Sequence, residues 1–320
     1  MMPIVVGPPG LFGKAPTHGD FLHVNTGARA FMAFDDWLTG AVEWAAARAG
    51  AAWPDAFTKG AIHAFVFRLP AEPTTLLTGA FGPSADRAGR KFPLVVAAPL
   101  TLDERRPPTP ALLPLLLEPF WDTAGRLIVE LGMRPELDAR DALAGIPVEA
   151  PPDPEEVSAS YEEWTHTLPL EELWELTGLS DGAAAARTLQ FLAEALRPLC
   201  AKERSDSPLS LRLPLGAAGG AALCFWLDLS GRLLRWQKSV PSFFWSHDGE
   251  SGALMLQPGM PPPSTLSELF LPTGARDEIC DLTAPPAEAA VAAIPPLDER
   301  VAAVLAQGGA RVTDLLEAVG

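Results

Sequence analysis

The order of short apolar runs and amphipathic stretches predicts an α/β sandwich with a mixed, largely antiparallel sheet and helices on both faces. Three observations carry that reading. Residues 62–69 (IHAFVFRL), 75–81 (TLLTGAF) and 92–99 (FPLVVAAP) are compact runs of Val, Phe and Leu bounded by Pro and Gly, as strands are. A helical period flanks them, at 31–49 and again from 111 to 200. The period then falls to two, because Leu209, Leu211, Leu213 and Leu215 alternate with Ser210, Arg212 and Pro214. Strand, helix, strands, helices, strands is neither a regular βαβ alternation nor two separate blocks.

Taken in order, the first helix spaces Phe31, Phe34, Leu38, Val42 and Ala45 by threes and fours. Asp35 and Asp36 lie towards its start, Arg48 near its end, and Gly50 stops it. Residues 111–131 are Leu-rich and helical in period, but Pro114 and Pro119 predict two pieces meeting near Glu118. Residues 155–200 extend this section, with Asp181 as a helix cap and Leu189, Leu192, Leu196 and Leu199 on one face. Residues 221–229 (AALCFWLDL), Ser230-Gly231 and 232–238 read as a β-hairpin, 253–257 as a further strand and 264–270 as a short helix. The organisation expected is one α/β domain at 1–275, with a helical middle section at about 135–205. A Pro-rich linker and tethered helical tail follow at 276–320, where Val312, Leu315, Leu316 and Val319 line one side.

Composition narrows the function. A formal charge of −16 and a pI near 4.7 argue against nonspecific nucleic-acid binding and against attraction to anionic membranes. Cys200, Cys224 and Cys280 are widely spaced, with no C-x-x-C pair, so neither a disulfide framework nor a cysteine zinc site is indicated. The opening MMPIVVGPPG lacks a basic, long apolar leader, and no stretch reaches the roughly 18 apolar residues of a membrane span. A soluble, cytoplasmic protein is expected.

Four clusters invite a chemical reading. GPPGLFGKAPTHGDF suggests a phosphate loop around Lys14, but G-x-x-x-x-G-K-[ST] would need Gly at Pro8 and Ser or Thr at Ala15. His18, Asp20 and His23 can ligate a metal or serve acid-base chemistry, yet His63, His166 and His247 are scattered. A turn in which Asp20 accepts backbone N–H bonds after Gly19 is the plainer account. In GPSADRAGRKFP, Ser84 beside Asp86 suggests a nucleophile, but the G-x-S-x-G elbow fails at Asp86 and a strand follows instead of a helix. Ion pairs of Asp86 with Arg87 or Arg90, and a turn at Gly89, explain the segment without catalysis. Arg87, Arg90 and Lys91 also form a local positive site suited to a partner carboxylate or phosphopeptide. The aromatic groups Trp37, Trp44 and Trp53, and Trp236, Phe243, Phe244 and Trp245, are explained mainly by core packing.

Taken together, GLFGKAPTHGDF at 10–21, SADRAGRKFPL at 84–94, PSFFWS at 241–246 and GMPPP at 259–263 resemble the motifs of the TagF family, also called ImpM, of type VI secretion-associated proteins. The resemblance covers roughly residues 7–272. It implies a three-layer α/β/α sandwich and a bacterial cytoplasmic accessory protein that restrains the secretion apparatus after translation. It also implies action through a forkhead-associated scaffold protein, with no catalytic activity established for the family; a non-enzyme without cofactor or metal is expected. The signature positions carried over are Gly13, Lys14, Pro16, Gly19, Asp20 and Phe21, then Ser84, Asp86, Arg87, Gly89, Arg90, Phe92 and Pro93. The physical expectation is that the turns at 13–21 and 84–93 meet on the sheet, with Asp20 or Asp86 holding Arg87 and Arg90. The alternative is a hydrolase or metal-dependent enzyme using Ser84 or the His18, Asp20 and His23 cluster.

Overall fold

A computed structural model describes residues 4–69, 72–102, 110–134, 136–146, 151–179, 182–202, 207–216, 219–236, 239–246, 252–272 and 279–320. The strands are β1 (Ile4–Val6), β2 (Gly10–Gly13), β3 (Leu22–Val24), β4 (His63–Leu69), β5 (Glu72–Gly82), β6 (Leu94–Leu102), β7 (Ser210–Gly216), β8 (Ser242–Ser246), β9 (Gly252–Gln257) and β10 (Ile279–Asp281). They form one sheet in the order β10-β7-β9-β8-β4-β5-β6-β2-β3, with β1 also on β6. Every pairing is antiparallel except that of β10 with β7, so the sheet is mixed and largely antiparallel, as expected.

The helices are α1 (Arg29–Ala49), α2 (Trp53–Lys59), α3 (Leu113–Met133), α4 (Ala139–Ala144), α5 (Pro154–Thr167), α6 (Leu170–Thr177), α7 (Gly182–Leu196), α8 (Gly219–Leu234), α9 (Ser264–Phe270), α10 (Glu288–Val291), α11 (Glu299–Ala306) and α12 (Val312–Val319). Among the described residues, no helix is long and apolar enough to cross a membrane.

Side-chain alternation on β4 shows how the sheet serves two cores. Phe65 and Phe67 face α1, while Ala64 and Val66 join the α3 and α8 side. A register slip of one residue would exchange the two sets, so burial on both faces fixes the pairing. On the first face Phe34 of α1 stacks on Phe65 at 4.3 Å. Burying side chains such as Phe31, Phe34 and Leu38 contributes about 1.5–3 kcal/mol each. Trp37 and Trp53 are buried in the same core, and Trp236, Phe243 and Phe244 are buried as well; Trp44 and Trp245 are half-buried.

Two expectations change. Residues 113–133 form one helix despite Pro119. Pro114 sits in the first turn, where a missing N–H is harmless. Pro119 removes one internal bond, and the face of Leu116, Leu117, Trp121, Ala124, Leu127 and Leu131 buried behind it holds the helix together. The hairpin expected at 221–238 is instead α8. Leu223, Cys224, Phe225, Trp226 and Leu227 are all buried, and a helix that is apolar all round shows no 3.6-residue period. Ser230 and Gly231, read as a turn, lie within it. The Asp181 cap and Lys238 lie outside the described residues.

The C-terminal segment is joined to the domain. Strand β10 extends the sheet beyond β7, and Val312, Leu315 and Leu316 of α12 enter the same core as α5 and α8. Leu170 N–H donates to Ala310 C=O, and Val312 N–H donates to Leu168 C=O. Leu315 is completely buried, so Leu315→Ala should destabilise the protein by about 2–5 kcal/mol. The expected calorimetric result is one shifted transition; an unchanged melt would mean that α12 is detachable.

His63 is the exception in the aromatic face. It is buried between Phe81 and Phe270, with both ring nitrogens unpartnered among the described residues. Burial drives its pKa down to about 3, from 6.5. A neutral histidine in the fold and a protonated one in the unfolded chain make stability fall as pH drops through that interval. His63→Leu should therefore stabilise the protein, by about 1–3 kcal/mol for the orphaned polar group, and its advantage in melting temperature should widen from pH 7 to pH 5. A constant advantage would show that protonation of His63 does not contribute.

Candidate functional site: two loops locked by one carboxylate

The site begins where β2 runs out. Gly13 pairs with Leu94 and has φ of +117°; a Cβ there would lie 2.0 Å from the Pro93 carbonyl, so only glycine fits. The chain then turns through Lys14 to Asp20, with the His18 N–H donating to Ala15 C=O at 3.0 Å, and returns along β3.

The second loop joins β5 to β6. Its stem is closed by the Ala85–Lys91 bridge and by Phe92 N–H donating to Ser84 C=O at 3.1 Å. Asp86 N–H donates to Arg90 C=O, Gly89 N–H to Asp86 C=O, and Gly89 takes φ of +80°. At the centre is the buried Asp86 carboxylate. Oδ1 accepts from the N–H groups of Ala88 (3.0 Å) and Arg90 (2.9 Å), and Oδ2 from Arg90 Nε at 2.6 Å. Lys14 Nζ, itself buried, lies 3.3 Å from Oδ2. Burial works against the carboxylate's charge, but the bonds from Arg90 and Lys14 outweigh it and bring the pKa down to about 2.

Two further bonds tie the loops together. Arg87 N–H donates to His18 C=O at 2.9 Å, and Arg90 Nη2 donates to Gly19 C=O at 2.7 Å. The loops therefore do meet, and Asp86 holds Arg90 as expected, but Lys14 stands where Arg87 was expected. Asp86 holds Lys14 and Arg90, whereas the Arg87 side chain makes no hydrogen bond or ion pair among the described residues. A Cβ on Gly19 would lie 3.1 Å from Arg87 Nη2, so glycine makes room for that guanidinium. Asp20 is exposed and, among the described residues, accepts only the N–H of Phe21, at 2.8 Å, a local bond within its own turn. Lys91 is drawn to Pro54 C=O and Thr58 on α2, which leaves Arg87 and Arg90 as the exposed cations of the loop.

Beside them Phe21 is 42% exposed, with Lys14 Nζ 5.1 Å from its ring centroid and Phe92 against its edge at 4.9 Å. Sequence reasoning missed the Lys14–Asp86 pair because no local spacing links residues 14 and 86. The strand order that makes β2 and β5 both neighbours of β6 supplies the link.

Ser84 is half-buried, and it is its backbone carbonyl that is engaged. His18 Nδ1 bonds Thr17, while His23 stacks on Phe12 from β3. No group of three His, Cys, Asp or Glu that could hold a metal occurs among the described residues. The late segments of the sequence pattern converge as well: Trp37 Nε1 donates to Pro261 C=O at 2.8 Å, both buried.

Fold and loops thus define an α/β domain whose signature side chains build a rigid, exposed platform of two arginines and a phenylalanine. Residues 10–144 match the family described as the TagF N-terminal domain, type VI secretion system-associated. The chain also has the fold of PA0076 from Pseudomonas aeruginosa PAO1, whose crystal structure matches with a TM-score of 0.50 and 20% identity. That match covers 84% of this chain and 96% of the other. No curated protein sequence matches the chain.

The depressed pKa of Asp86 makes its contribution to stability present above about pH 3.8, the ordinary value, and lost as pH falls towards 2. Asp86→Asn should lower the melting temperature at neutral pH, and the gap to wild type should close between those two pH values. A gap that persists at pH 2 would show that the charge on Asp86 is not what holds the loops.

Proposed function

We propose that the chain is a non-enzymatic, cytoplasmic regulator of the type VI secretion apparatus that represses it after translation by binding a forkhead-associated scaffold protein. The platform formed by the two loops is the contact surface. The observation that carries this reading is the separation of roles within the loop of residues 83–93. Asp86, Lys14 and the backbone fix its shape, and Arg87 is left exposed with its guanidinium unused. An arginine presented on a rigid loop beside an exposed aromatic ring is the pairing that dominates binding hot spots. The match of residues 10–144 to a type VI secretion system-associated family directs the search to secretion-system partners.

The chemistry asked of the partner is a carboxylate or phosphate that can accept two parallel N–H bonds from Arg87, flanked by an apolar contact for Phe21. In a chain of net charge −16, such a contact draws its partner by local field alone, so binding should weaken with salt. Arg87→Glu should reduce affinity for the purified scaffold protein at least about tenfold in a calorimetric titration, while leaving the melting temperature unchanged. A scaffold protein that does not bind wild type, or binds both proteins equally, would overturn the reading.

A further inference from the structure

Away from the paired loops, the described residues leave the sheet face that carries α3 incompletely covered. An open groove of about 670 Å³ lies between α3, at Trp121, Gly125 and Val129, and the strand side, at Ile62, Ala64 and Trp245. From Glu118 to Glu130 its helical wall is about 18 Å long. Gly125 leaves space in that wall, since a Cβ there would meet only Ile62, at 3.8 Å. Val129 is 45% exposed and Met133, one turn on, is 76% exposed, so an apolar stripe continues past the groove.

The rim is acidic. Glu118, Asp122 and Glu130 are exposed, and none pairs with a Lys or Arg among the described residues. Arg126, which stands among them, bonds Thr123 at 3.1 Å instead. Burial and then the neighbouring Asp122 carboxylate push the Glu118 carboxyl up from its ordinary value, which marks a place short of positive charge.

We propose that this groove receives an amphipathic helix of a partner protein, with apolar side chains laid on Gly125 and Val129 and Lys or Arg side chains set between Glu118, Asp122 and Glu130. A helix fits where a strand does not. Strands β4 and β8 are interior, with both edges already paired, so an added strand would find no backbone partners, whereas a helix satisfies its own. Charge complementarity selects a basic helix over an acidic or neutral one. The groove wall at Ala80 leads along β5 to Gly82, where the loop at 83–93 begins, so a partner bound here lies at the same end of the sheet as the platform. The inference shares with the proposed function only the premise of a protein partner.

The test uses a labelled, stapled helix of roughly fourteen residues, stapled because short helices are marginal alone, with Leu on one face and Lys on its flanks. Its controls are the same helix with Glu for Lys and the same composition scrambled. By fluorescence anisotropy the Leu/Lys helix should bind wild type and Arg87→Glu equally, and the two controls should not bind. Gly125→Trp, which fills the groove, and the double variant Glu118→Lys, Asp122→Lys should each bind at least about tenfold more weakly. Val129→Glu, on the exposed wall, gives an independent reading if the tryptophan variant does not fold. Absence of binding to wild type, undiminished binding to the groove variants, or equal binding of the scrambled helix would overturn the proposal; the last would reduce it to bulk charge attraction. Because the probe needs no scaffold protein, this result and the scaffold titration fail separately.

Discussion

The Asp86 carboxylate is the constraint on which the loop platform depends. An ion with no solvent contact needs several donors, and here they come from three sources: its own turn, Arg90 and the distant Lys14. Since Lys14 follows directly on β2 and Asp86 stands just beyond β5, satisfying one charge fixes the relative position of two connections. Everything exposed on them inherits that rigidity, including the one guanidinium that the network does not use. A loop fixed in this way gives up little conformational freedom when a partner grips it.

Beneath the loops, the sheet divides its side chains between two cores, and its aromatic content follows from that division. Phe65, Phe67, Phe81 and Phe244 pack their rings against Phe34 and Trp37 on the α1 side, some stacked and some edge-on or tilted. The other side is dominated by Leu and Trp from α3, α6, α7 and α8. Large flat rings fill the interval beneath α1, α2 and α9, while the helices of the other side interlock largely through branched aliphatic side chains. The ends of β2, β5 and β6 are held from both sides by this arrangement, and the platform rests on them.

Much of this was legible in the residues. The runs at 62–69, 75–81 and 92–99 are β4, β5 and most of β6, and the spacing of Phe31, Phe34 and Leu38 is the buried stripe of α1. Even the meeting of the two loops could be anticipated. What was not legible had definite physical causes. Burial around the whole circumference of α8 erased the period that distinguishes a helix from strands. Pro119 broke a local rule that tertiary packing overrode. The exchange of partners around Asp86 depended on strand order, which no short-range pattern records. A Pro-rich sequence ahead of α11 and α12 looked like a linker because proline composition reports local backbone restriction and says nothing about whether the next helix finds a core.

The pairing of β10 with β7 carries a consequence for biogenesis. The outermost strand on that side comes from residues 279–281, whereas its neighbour comes from 210–216. During synthesis the inner strand must therefore wait, one row of amide and carbonyl groups bare, for about seventy further residues to emerge. A chain cut short ahead of Ile279 would keep that row permanently open to the wrong molecule, and self-association is the hazard such truncated products would face.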